Sequence, residues 1–147
     1  MNPAVFLTLT NTTDRPLWVA LLDLTDRFKC HSLLFPTAQI ATGHTAATRD
    51  GARVDVTLPD DRPVLSGAKA RDWLMVIVST VEFNAASFDL PQLGEPATRS
   101  SAAVGRPRST LERLAGRALT RSVGDKGPPH PASEWCATTI PLTTVVP

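Results

Sequence analysis

The strongest nucleophiles and metal ligands in this chain are two cysteines, Cys30 and Cys136, and three histidines, His31, His44 and His130. They adjoin once, at Cys30-His31. A cysteine–histidine dyad needs the imidazole within hydrogen-bond reach of the sulfur. Neighbours along a strand project to opposite faces, so Cys30 and His31 do not make one. Cys136 lies in a strand-like stretch and reads as a small apolar residue. No Cys-x-x-Cys, His-Glu-x-x-His or zinc-finger spacing occurs, and no metal or cofactor is expected. Asp23, Asp26, Asp50 and Asp60-Asp61 could in principle meet calcium, which wants about 6–8 oxygens. Asp26, Asp50, Asp60 and Asp61 each adjoin Arg, Gly or Pro, which is the chemistry of turns. Gly43, Gly51 and Gly67 are isolated and lack phosphate-loop spacing.

The clearest binding signal is cationic. Arg113, Arg117 and Arg121 recur at i, i+4 and i+8, which places them on one side of a helix. Arg106 and Arg108 precede them, with Arg99 and Lys126 at the ends of the segment. Residues 99–126 hold seven Lys or Arg against two Asp or Glu, whereas residues 1–98 hold eight against eleven. A weakly acidic body therefore carries a basic insertion, although the net charge is only +1. Such a helix suits an acidic protein surface, nucleic acid or an anionic membrane. It lacks aromatic residues for base stacking and Trp or Phe for membrane insertion, so an acidic protein surface is the preferred partner if the helix binds one; the plainer expectation is that its apolar stripe packs on the body and its arginines are solvated. The expected partner-binding residues are Arg113, Arg117, Arg121, Arg106 and Arg108.

The elements that must hold these residues are mostly strands. Ala4 to Thr10 alternates with period two, and Asn11 to Pro16 is dense in turn formers. Leu17 to Leu24 is apolar on both faces, with Trp18, Ala20 and Leu22 on one and Val19, Leu21 and Asp23 on the other, as a central strand requires. His31 to Phe35 predicts a short strand stopped by Pro36. Arg53 to Leu58 alternates again. Trp73 to Ser79 is the most apolar run and predicts a core strand. Glu82 to Phe88 suits one helical turn. Residues 91–131 read as a linker–helix–linker insertion, with a capping box at Ser109 to Glu112 opening a helix over 109–121. Its apolar stripe is Leu111, Leu114, Ala115, Ala118 and Leu119. A final strand over 134–146, bent or bulged at Pro141, returns to the sheet. Strands do not alternate with helices, so the expected fold is mainly β: one domain over 1–147, an antiparallel β-sandwich of about six to seven strands with one late amphipathic helix. Trp18, Trp73 and Trp135 are expected in its core.

Of the 147 residues, 42% are hydrophobic and 20% charged, enough to bury a core, and 13 are proline, which disfavours a helical bundle. No apolar run reaches the roughly 18 residues that a membrane helix needs, and Met1 to Thr10 lacks the pattern of a signal peptide. A cytoplasmic location with reduced thiols is expected.

Several short runs together resemble a known module. They are Asn-Thr-Thr-Asp-Arg-Pro at 11–16, Leu-Trp-Val-Ala-Leu-Leu-Asp-Leu-Thr-Asp-Arg-Phe at 17–28, Ser-Leu-Leu-Phe-Pro at 32–36 and Arg-Asp-Trp-Leu at 71–74. The stretches 88–99 and 109–123 add to the pattern. They resemble the C-terminal β-sandwich accessory domain that follows the peptidase domain in bacterial caspase-like proteins. The resemblance implies a non-catalytic domain beside a His/Cys peptidase, acting in cis or in trans by recognition or regulation. The caspase nucleophile signature Gln-Ala-Cys-x-Gly is absent from this chain. Other expectations are a stand-alone interaction module working through helix 109–121 and a cysteine-dependent hydrolase built on Cys30 or Cys136.

Overall fold

The computed structural model describes residues 3–95, 110–114 and 134–147. These residues are mainly β, and every paired strand is antiparallel. The chain forms β1 (Ala4–Val5), β2 (Thr8–Thr10), β3 (Leu17–Leu24), β4 (Cys30–Ile40), β5 (Thr45–Ala47), β6 (Val54–Asp55), β7 (Lys69–Ser79) and β8 (Trp135–Val145). A four-stranded sheet runs in the order β4-β3-β7-β8. Two separate ladders, β1-β6 and β2-β5, accompany it.

The central strand is β3, as its two apolar faces require. Ala20 and Leu22 face one core with Cys30, Ile77, Phe83 and Leu111. Val19 and Leu21 face a second core with Leu34, Phe35, Ile40 and Leu74, roofed by Leu7, Leu9, Ala46 and Val54 from the small ladders. One sheet thus separates two cores. The first is closed by the 3-10 turn Ala85–Phe88 and by Leu111 of a helical turn at 110–114.

Several boundaries differ from those read in the sequence. The expected strand 4–10 splits into β1 and β2, which pair with different partners. Pro36 does not stop the third strand, which continues to Ile40. The pairing explains why. From Leu17↔Ile40 to Leu24↔Cys30, β3 advances seven residues and β4 advances ten. Pro36 lies in one of the resulting irregularities, on an edge strand, where a missing N–H is tolerated. The half-exposed strand expected over 53–58 shortens to Val54–Asp55. The expected helix over 109–121 is described only at 110–114, which is helical; the rest of the 91–131 insertion beyond residue 95 lies outside the described residues.

The three tryptophans are not all core. Trp18 packs against the first core, but Trp73 and Trp135 remain 37% and 36% exposed. The register places Trp73 opposite Pro141 and Trp135 opposite Ser79, on the same face near the edge of the sheet. There, β8 adds only one buried residue, Thr144, to the body. No helix among the described residues is long and apolar enough to cross a membrane.

Candidate functional site

A cleft of about 550 Å³ opens at the turn end of β3. Alternation along the strands places its charged residues. Asp23 follows Val19 and Leu21 on the face of the second core, and His31 is its direct partner across the β3-β4 ladder. His31 Nε2 lies 3.1 Å from Asp23 Oδ2. Asp23 also pairs in register with Leu74, so Asp72, two residues along β7, projects from the same face diagonally across from it. The two carboxylates stand where the apolar face of the sheet runs out. Val5, Leu34, Val54, Leu58, Leu74 and Leu142 provide the aliphatic wall.

Two turns frame the mouth. The β3-β4 hairpin closes by Thr25 N–H to Lys29 O (2.9 Å) and Phe28 N–H to Thr25 O (3.0 Å). The segment at 59–62 closes by Arg62 N–H to Pro59 O (2.9 Å). Two ion pairs tie these turns together: Arg27 with Asp61, and Arg62 Nη1 with Asp26 Oδ2 at 3.0 Å. At the hairpin tip, Phe28 adopts a left-handed backbone (φ 62) and is 73% exposed. This conformation is unfavourable for a bulky residue, and the hairpin hydrogen bonds hold it.

The electrostatics are predominantly acidic. Five lining residues are Asp23, Asp55, Asp60, Asp61 and Asp72, against Arg27 and Lys29. Arg27 is spent on Asp61, and Asp55 is paired with Arg53. Asp60 and Asp72 have no cationic partner within ion-pair distance among the described residues. Burial, reinforced by Asp23 and Asp26, raises the Asp72 carboxyl to about 6, with the Asp26 backbone and His31 opposing the shift. Asp23 Oδ1, Asp26 Oδ1 and His31 Nδ1 are buried without a hydrogen-bond partner. Among the described residues no three His, Cys, Asp or Glu side chains group as metal ligands.

The sequence-expected residues fall as follows. Cys30 and His31 point to opposite faces: Cys30 enters the first core and His31 meets Asp23. Burial, with Asp89 and Asp23 nearby, raises the Cys30 thiol to about 11. Cys136 is exposed on β8, not packed in a core. Arg113 is half-buried on the helical turn at 110–114, while Arg106, Arg108, Arg117 and Arg121 lie outside the described residues. The cleft itself was not anticipated. Its signal lay in Asp23, a charged residue in an otherwise apolar strand, and in Asp72 at the charged start of β7, at positions that the antiparallel register brings together.

No family model, curated protein or solved structure matches this chain.

Proposed function

We propose that this chain is a non-catalytic recognition module that binds a partner segment in the cleft beside Asp23 and Asp72. One observation carries the reading: a concave site of about 550 Å³ joins an aliphatic wall to the Asp72 and Asp60 carboxylates, which lack cationic partners among the described residues. That volume lies within the range of ligand sites, about 300–1,000 Å³, and the mix of apolar wall and few polar anchors is how such sites gain affinity and orientation. In this reading the β1-β6 and β2-β5 ladders form the second layer of a β-sandwich, and the cleft opens between the layers at one end. The sequence resemblance adds the setting, an accessory domain working with a bacterial caspase-like cysteine peptidase in cis or in trans. Cys30 lies in the first core, on the opposite face from the cleft, and burial raises its thiol to about 11, which disfavours it as a nucleophile because a thiolate and not a thiol attacks.

The test is a titration of the isotope-labelled module with a caspase-like peptidase domain whose nucleophile has been replaced by alanine. Binding is expected to shift the backbone amide signals of residues 54–61 and 72–74. Shifts confined to other surfaces would reject the cleft. Hydrolysis of a peptide or ester by the module alone, lost in Cys136→Ser, would reject the non-catalytic assignment.

A further inference from the structure

The cleft also indicates the chemistry of its occupant. We infer that it receives a lysine or arginine side chain from an extended partner segment, with the cationic head at Asp72 and Asp23 and the aliphatic stem along Val54, Leu58 and Leu74. This rests on the recognition reading above and names what is recognised.

The argument is one of complementarity. Around the mouth, the arginines are committed: Arg27 to Asp61, Arg62 to Asp26 and Arg53 to Asp55. Asp72 and Asp60 have no such counter-ion, and Lys29 is the one lining cation without a carboxylate in ion-pair range among the described residues. Asp23 meets His31 Nε2 through Oδ2 at 3.1 Å, and its Oδ1 is buried with no donor. A buried acceptor without a donor is costly, and the cost falls when an N–H group arrives. An anionic occupant would meet like charge. A purely aliphatic occupant would use the wall but leave the carboxylates further desolvated and still uncompensated, which is unfavourable. A lysine or arginine side chain matches both parts, because each carries a charged head on an apolar stem.

The lining of the site fits the same occupant. Val5, Leu34, Val54, Leu74 and Leu142 come from β1, β4, β6, β7 and β8, whereas Leu58, Asp60 and Asp61 stand on the connection between β6 and β7. A stem lying along Val54 and Leu58 shares one cleft with Asp23 and Asp72, so its head and its stem are met by the same lining. A guanidinium can donate to two carboxylates at once, so arginine should bind at least as well as lysine.

The experiment uses four acetylated and amidated pentapeptides with the sequence Ala-Val-X-Val-Ala, where X is lysine, arginine, norleucine or glutamate. Each is titrated into the isotope-labelled full chain at pH 7.5 and low salt, and cleft amide shifts are followed. Lysine and arginine peptides are expected to bind at least tenfold more tightly than the norleucine peptide, and glutamate is expected not to bind. Asp72→Asn should weaken the lysine peptide at least fivefold while preserving the dispersed spectrum of a folded chain. Asp60→Asn, at the exposed rim, is expected to weaken it about twofold. Equal binding of norleucine and lysine peptides would overturn the inference and leave apolar recognition at the cleft intact. Cleft shifts with the peptidase domain but with none of the four peptides would also overturn it while sparing the recognition reading. Shifts with neither would reject both.

Discussion

At the scale of single residues, two thiols and one carboxyl make opposite use of burial. Cys30 sits in a core, close to Asp89 and Asp23, and its thiol is raised to about 11. Cys136 lies exposed on β8. Alkylation with iodoacetamide at pH 8 should therefore modify Cys136 first, with Cys30 at least tenfold slower, read by peptide mass spectrometry. Equal rates would mean that Cys30 is not held in the core. Asp72 tests the acidic cleft in another way. Its carboxyl rises from 3.8 to about 6 on folding, so between those values the folded chain holds a proton that the unfolded chain has lost. The stability this group contributes is greatest below the unfolded value and declines as pH rises through the folded one. Asp72→Asn imitates the protonated state. It should raise the melting temperature at pH 7.5, by a stability gain of about 1 kcal/mol once solvent screening of a partly exposed group is allowed for, and the gain should vanish near pH 3.5. A melting curve at each pH decides it; a loss at pH 7.5 would show that Asp72 supports the fold.

At the scale of elements, the sequence was legible wherever local pattern decides the outcome. The two-faced apolar run of Leu17 to Leu24 is β3 with the same bounds, and its alternation correctly divided Ala20 and Leu22 from Val19 and Leu21. Pattern failed where pairing decides instead. Nothing local reveals that Thr8–Thr10 leaves the ladder of Ala4–Val5 for that of β5, or that Pro36 is carried within an irregular edge. Asp23 and Asp72 lie 49 residues apart in the chain, so only the register of β3 against β7 brings them together. Pro141 is the converse case, because its place in the ladder gives it a purpose. Ala68 and Val146 are hydrogen-bonded at one end of β7-β8, as are Thr80 and Glu134 at the other. The register between them is unbroken, and hydrogen-bonded pairs alternate along an antiparallel ladder, so Trp73↔Pro141 is a non-bonded pair. The nitrogen of Pro141 accordingly faces the outer edge of the sheet, where a proline withholds a donor from any strand that would add there. Pro141→Val should leave the intrachain ladder intact and increase self-association, detected by light scattering at rising concentration. An unchanged monomer fraction would show that the edge is protected by something other than Pro141.

At the scale of the whole molecule, the question is how the basic insertion relates to the body. The two cores lie on opposite sides of one sheet, and along one flank β8 contributes almost no burial of its own. Two contacts bring the helical turn at 110–114 to that flank. Leu111 is 1% exposed within the first core, and Trp135 Nε1 donates to Thr110 Oγ1 at 3.0 Å. The next apolar residue of the expected stripe, Leu114, is 45% exposed, so Leu111 carries most of the hydrophobic attachment within the described turn. If the turn closes the core, then removing the Leu111 side chain leaves a cavity under Ile77 and Phe83 rather than a change on the surface. Leu111→Ala should lower stability by about 2–4 kcal/mol, the cost of a large-to-small core substitution, and Leu114→Ala by less than about 1 kcal/mol. Urea unfolding followed by tryptophan fluorescence measures both, and Trp135 lies close enough to the turn to report its release. A single transition with a lowered midpoint in Leu111→Ala would mean that the insertion and the sheet unfold as one unit. Equal and small effects of the two substitutions would mean that the first core is complete without the turn, and that any partner of Arg113 acts on an element the body does not need.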